Sequence, residues 1–321
     1  MAQPEPATAA MSAARALRFP WQSVGAPQDD ALSLHAQRWA ERLGLVPTGP
    51  LSRRLGAVDV GKLAALVYPG APARVLELFV EFFTWILLQD DVFDEAERTQ
   101  APGELAQTLQ DYIDVLGGVE PAADAPAPTI ALGDLRAKLV GLGGPAWFDR
   151  FSASMRRFWL DGVLEETRHR AARITPGLAR YKRVRLESVG VYPVLDLIEI
   201  AYGLRLSPAL TGDPLFSEVR EQTAWAIAMS NDVFSYGKER RADDPHNVVH
   251  LLTVHEQRSL DEAFSAVVGA HNTLVARFDG MAAALQRRSS ALRVYVEGHR
   301  RWMRGAYDWQ LGARRYAPTA A

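Results

Sequence analysis

The chain turns on residues 78–95, Leu78-Phe79-Val80-Glu81-Phe82-Phe83-Thr84-Trp85-Ile86-Leu87-Leu88-Gln89-Asp90-Asp91-Val92-Phe93-Asp94-Glu95. An apolar run ends here in four acids within seven residues. On a helix, Asp90 and Asp94 stand one turn apart on one face, and Asp91 and Glu95 form the adjacent pair. Like charges so placed repel, and half-buried carboxylates are costly unless something positive sits among them. Asp-rich helix ends also occur as plain solvated surface, so the stretch needs a second signal.

That signal is Asn231-Asp232-Val233-Phe234-Ser235-Tyr236-Gly237-Lys238-Glu239. Asn231, Ser235 and Glu239 fall at i, i+4 and i+8, which lines an amide oxygen, a hydroxyl and a carboxylate along two helical turns. All three are hard oxygen ligands of the kind Mg2+ takes, with room left for water and substrate phosphates. Capping or packing could explain Asn231 and Ser235 singly, but no capping pattern needs an oxygen on three successive turns.

The 321 residues are 48% hydrophobic, enough to bury a large core. A formal charge of -2 gives no whole-protein pull toward nucleic acid or anionic membrane. With no cysteine, disulfides and thiol chemistry are excluded, and a reducing cytoplasm is the expected setting. Met1–Ala14 lack the basic start and apolar core of a signal peptide, so residues 1–16 are expected to be a flexible tail. The longest apolar stretch is interrupted by Glu81 and Thr84, which argues against a membrane span.

Helical periodicity covers most of the remainder, over about 30–45, 58–68, 73–97, 104–116, 146–173, 176–206, 216–241, 247–255, 259–287 and 290–314. Residues 117–128 are too rich in Pro, Gly and Ala for regular structure and read as a loop. Gly190 and Pro193 predict a break inside the 176–206 segment. Leu17-Arg18-Phe19-Pro20-Trp21 reads as extended. Strand-like alternation is scarce, so the expected fold is all-α in a single domain.

Two faces that gather Mg2+ call for an anion, usually phosphate. Arg185, Lys238, Arg314, Arg315 and Tyr316 offer suitable donors. Phe83, Ile86, Leu87 and Trp309 offer apolar surface, and Phe83 lies about 10 Å deeper along its helix than Asp90. Each of these also reads, taken alone, as ordinary surface or core.

Together, Asp90-Asp91-Val92-Phe93-Asp94-Glu95 and Asn231 to Glu239 resemble the two metal-binding signatures of class I terpene synthases, particularly the bacterial terpene cyclases. Arg185 lies 46 positions before Asn231 (231 minus 185), where that family places a diphosphate-sensing Arg. Trp309 to Tyr316 is similar to its closing segment, with Ala313 where Ser or Thr is common. The resemblance implies an α-helical bundle or barrel domain spanning 17–316, with a short tail at 317–321 and both motifs at the mouth of an apolar cavity.

It also implies three Mg2+ ions held by Asp90, Asp91, Asp94, Asn231, Ser235 and Glu239, with either Asp94 or Glu95 as the second metal-facing acid of the first motif. Arg185, Lys238, Arg315 and Tyr316 would bind the diphosphate. Ser188 and Val189 would be the linker and effector, although Ser188 stands where Asp is often found. The implied reaction ionises a linear isoprenyl diphosphate, farnesyl diphosphate by default with geranyl and geranylgeranyl diphosphates as alternatives, and cyclises the carbocation over residues such as Phe83 and Trp309. Two rivals remain: a chain-elongating prenyl diphosphate synthase, which would characteristically carry a second Asp-rich motif, and a non-catalytic isoprenoid carrier. The resemblance leaves a homodimer open.

Overall fold

The computed structural model describes residues 6–25, 30–46, 59–99 and 102–313, with backbone alone for 90–99. Its elements are α1 (Pro6–Arg15), α2 (Asp30–Arg42), α3 (Val60–Val67), α4 (Ala73–Thr99), α5 (Pro102–Gly117), α6 (Ala127–Gly143) and α7 (Pro145–Arg157). A π-helical turn, Phe158–Val163, joins α7 to α8 (Leu164–Ala171). There follow α9 (Leu178–Ser188), α10 (Val191–Ala201), α11 (Pro208–Thr211), α12 (Pro214–Arg241), α13 (Val248–His255), α14 (Leu260–Gln286) and α15 (Ser290–Gly312). No strand occurs among the described residues, and the all-α expectation holds.

The core is built around the apolar run. Phe79, Phe82 and Phe83 of α4 are buried together with Tyr68, Phe151 and Trp302. Trp302 meets the Phe83 ring edge-on at 5.9 Å and the Tyr68 ring at 5.5 Å. The Tyr68 hydroxyl donates to the Val194 carbonyl at 2.5 Å, so this aromatic group ties α3, α4, α10 and α15 together. Such edge-to-face pairs add roughly 0.5–1.5 kcal/mol each beyond area burial.

The break falls where Gly190 and Pro193 place it. Gly190 adopts φ 67°, which a side chain disfavours, and Pro193 sits in the first turn of α10, where its missing N–H costs nothing.

Three expectations are corrected. The 117–128 run is a loop only in part, because α5 reaches Gly117 and α6 starts at Ala127. Pro128 is a first-turn residue there, and the helix that follows buries one face, with Ala131, Leu135 and Leu139 one turn apart. The expected helix over 146–173 is continuous but contains the π turn.

The third correction concerns the N-terminus. Instead of a flexible tail over 1–16, Pro6–Arg15 is helical and buries Ala9, Ala10 and Ala14 against α12 and α14. Alanine favours helix, and the docking is close: a Cβ at Gly237 of α12 would lie in ordinary contact, 3.4 Å, with the Ala7 backbone. The extended segment after α1 continues this brace. Arg18 N–H donates to Asn272 Oδ1 at 2.8 Å, and Phe19 packs edge-on against His271 at 5.1 Å.

His271 is fully buried, its Nε2 has no hydrogen-bond partner, and burial pushes its pKa down to about 4. Because the folded value lies below the unfolded one, its contribution is complete above about pH 6.5 and is lost as pH falls toward 4. Protonation there costs the fold on the order of 3 kcal/mol at most. Urea unfolding at pH 4.5 and 7.5 should show His271→Gln losing less stability in acid than the parent chain. Equal acid losses would assign the sensitivity to other groups.

Candidate active site

The three residues of the oxygen stripe arrive together. Asn231, Ser235 and Glu239 project from successive turns of α12 into one cavity of about 800 Å³. Ser235 is buried and its Oγ has no hydrogen-bond partner. Burial, reinforced by the neighbouring Asp232 charge, pushes the Glu239 carboxyl pKa up to about 8. An orphaned hydroxyl beside an amide oxygen and an under-solvated carboxylate suits a hard cation, which would supply both the missing partner and the missing charge.

Arg185, in the last turn of α9, reaches the same wall. Its Nη2 donates to Asn231 Oδ1 at 2.6 Å, and its Nε and Nη2 reach Asp232 Oδ1 at 3.0 and 2.9 Å. Burial alone would weaken the guanidinium charge, but Asp232 and Tyr181 outweigh it and hold the pKa well above its ordinary value. Asp232 is fully buried and also accepts from the Tyr181 hydroxyl and, at 2.7 Å, from Val248 N–H.

Asn247 binds the arrangement from the next helix. Its Nδ2 contacts the Asp232 carbonyl and Glu239 Oε2, each at 2.7 Å, while its Oδ1 caps α13 through Val249 N–H at 2.9 Å. One side chain therefore sets the spacing between the metal-facing helix and its neighbour.

The cavity is divided by chemistry. Its apolar lining comes from Leu63, Phe83, Ile86, Leu87, Val194, Ile227, Trp302 and Trp309, and its polar lining from α8, α9 and α12 with the segments that follow α8 and α12. The last turn of α8 and the segment after α12 are clasped together. Arg170 Nη1 meets Asp244 Oδ2 at 2.7 Å, and the stacked rings of His169 and His246 share a 2.8 Å contact.

Residues 81–277 match the family model described as terpene synthase family 2, C-terminal metal binding. The chain belongs to the terpene synthase family. It is 31% identical over 313 residues to the (+)-T-muurolol synthase of Roseiflexus castenholzii, covering 94% of both chains. It is 30% identical to the germacrene A synthase of Nostoc punctiforme, covering 89% of this chain and 90% of that one. The fold matches the linalool/nerolidol synthase structure from Streptomyces clavuligerus with a TM-score of 0.82 at 22% identity, over 92% of this chain and 99% of the other. This is accordingly a class I terpene cyclase of a metal-binding family. Among its described residues no helix is long and apolar enough to cross a membrane.

In this terpene synthase, Arg185, Ser188, Val189, Asn231, Ser235, Lys238 and Glu239 line the one cavity with Phe83, Ile86, Leu87 and Trp309. Asp90, Asp91 and Asp94 lie on the α4 backbone just beyond Leu87, and their side chains fall outside the description. Arg314, Arg315 and Tyr316 lie outside the described residues, immediately after α15.

Sequence reasoning missed four participants: Asp232, Asn247, Glu166 and Trp302. Trp302 had a signal, since it stands two turns before Trp309 and shares its face. Asp232 and Asn247 act through other residues, and nothing in their spacing shows that.

Proposed function

We propose that this terpene cyclase takes a linear isoprenyl diphosphate, farnesyl diphosphate by preference, ionises it and cyclises the resulting cation. One observation carries the reading. A single cavity joins an oxygen-donor stripe and a permanently charged arginine to a wall of aromatic side chains. The similar (+)-T-muurolol synthase is by name a (2E,6E)-farnesyl diphosphate-cyclising enzyme, which supports the chain length.

Asn231, Ser235 and Glu239, with Asp90, Asp91 and Asp94 from α4, would hold Mg2+, three ions by family resemblance. Bound there, the metal supplies Lewis-acid stabilisation of charge on the leaving oxygens. Arg185 and Lys238 bring fixed positive charge to the same wall, where low dielectric strengthens it. Arg315 and Tyr316 would add donors from beyond α15.

The allylic C–O bond breaks with its electron pair on the diphosphate. The cation left behind faces Phe83, Trp302 and Trp309, whose ring faces attract positive charge when close. Exclusion of water by the apolar lining delays capture until the rings have closed. The catalytic domain of this reading spans residues 17–316, with α1 docked on it.

A chain-elongating synthase and an isoprenoid carrier make different demands. The first needs isopentenyl diphosphate as a second substrate, and the second binds without releasing diphosphate. The test is incubation of the protein with geranyl, farnesyl and geranylgeranyl diphosphates separately, with and without Mg2+, followed by mass spectrometry of the volatile products. Mg2+-dependent cyclic products from farnesyl diphosphate are expected. A folded protein that releases no diphosphate from any of the three would overturn the reading.

A further inference from the structure

The break between α9 and α10 brings Arg185, Ser188 and Gly190 to the cavity wall, and one helix underneath clamps it at both ends. That helix contains the π turn. Leu164 N–H bonds to the Trp159 carbonyl, five residues back, so the ladder has slipped by one residue. Such a slip rotates everything after it by about 100° relative to an unbroken α-helix. Its effect is to direct Glu166 of α8 at the break.

The contacts are close along the whole crossing. At one end, a Cβ on Gly190 would come within 3.3 Å of the Phe158 ring. In the middle, a Cβ on Gly162 would stand 2.6 Å from Ser188 Cα and N, so only glycine allows the two backbones to touch. At the other end Glu166, buried at 8% exposure, accepts a hydrogen bond from Ser188 Oγ at 2.5 Å through Oε1. Its Oε2 lies 3.9 Å from Arg170 Nη1, and Arg170 in turn pairs with Asp244 beyond the metal-facing helix.

A serine at a helix end can bond its own backbone, so capping does not require the reach of Ser188 to an acceptor on another helix. We infer that Glu166 is a positioning residue: by holding Ser188 it fixes the backbone of the break, and with it the Arg185 side chain one turn earlier. The π turn is the device that puts Glu166 there. The inference rests on the terpene-cyclising reading, because it assigns the break a part in presenting diphosphate and cation to each other.

The test compares the parent chain with Glu166→Gln, Glu166→Ala, Ser188→Ala and the Glu166→Ala/Ser188→Ala double variant. Turnover of farnesyl diphosphate with Mg2+, the ratio of cyclic to acyclic products and thermal melts are read together. Glu166→Gln keeps an acceptor for Ser188 and should retain kcat/KM within about threefold. Glu166→Ala and Ser188→Ala should each lose about tenfold or more and shift products toward acyclic alcohols, with the double variant no worse than the worse single one.

Glu166→Gln falling as far as Glu166→Ala would make the charge, or an acid-base part, the essential property and would overturn the inference. So would losses that multiply in the double variant, or a Glu166→Ala enzyme indistinguishable from the parent. If Glu166→Ala does not fold, Ser188→Ala removes the same bond and decides alone. Calorimetric titration with inorganic diphosphate and Mg2+ gives an arm free of turnover, in which both alanine variants should bind at least about fivefold more weakly than the parent. A parent chain that turns over no isoprenoid would defeat the functional reading, and equal diphosphate affinities across the set would then separately defeat this one.

Discussion

Glu239→Ala should abolish detectable turnover while leaving the fold intact, and Asn231→Ala should do the same less completely. Glu239 is the ionisable member of the stripe, and burial pushes its pKa up to about 8, so near neutrality the fold alone carries it mostly protonated and its removal takes little charge out of the fold. Among the described residues the fold loses the attraction of Glu239 to Arg185 and the 2.7 Å contact from Asn247 Nδ2, which keeps its second partner in the Asp232 carbonyl. The reaction loses a metal ligand, for which a fall in kcat/KM of roughly 10³-fold or more is expected, about 4 kcal/mol of transition-state stabilisation. Initial rates by product mass spectrometry, alongside circular dichroism melts, would measure both halves. Activity within tenfold of the parent in both variants would end the assignment of the stripe as a metal site.

The second large effect falls on stability. Asp232→Ala should destabilise the protein by about 3–5 kcal/mol, because it leaves the buried Arg185 guanidinium without its carboxylate. Two further donors, the Tyr181 hydroxyl and Val248 N–H, lose their acceptor in the same substitution. The urea midpoint should therefore drop at pH 7.5, and any folded remainder should bind inorganic diphosphate poorly with Arg185 no longer held at the wall. A loss under about 1 kcal/mol would mean that water or a rearranged neighbour replaces Asp232 readily. The two predictions separate the roles of neighbours on one helix: Glu239 serves the ligand, and Asp232 serves the protein.

The oxygen stripe was legible because its spacing matches the helical repeat, and α12 is regular from Pro214 to Arg241. The break was legible for a similar local reason: Gly190 and Pro193 limit the backbone whatever surrounds them. The N-terminal helix was not. Ala9, Ala10 and Ala14 make too weak an apolar stripe to predict docking, and they are buried against α12 and α14, which lie far along the chain. The Ala127–Gly143 helix was hidden differently, by prolines that suggest a loop but sit at a helix start, where they are tolerated.

Local rules determined which side chains share a face: Asn231 with Ser235 and Glu239, Phe83 with the residues leading to Asp90, and Trp302 with Trp309. They determined as well that the chain is all helical and that it turns between Ser188 and Val191. Only the tertiary structure decided what those faces meet. The pairing of Arg185 with Asp232, the bridging by Asn247, the clasp of Arg170 on Asp244 and the grip of Glu166 on Ser188 all join residues from different elements. The π turn belongs with them, since the one-residue slip in the helical ladder falls at the close crossing of Gly162 on Ser188 and leaves no period of its own in the sequence. Spacing along a helix is dictated by backbone geometry that every residue shares, whereas contacts between helices depend on the packing of the whole core.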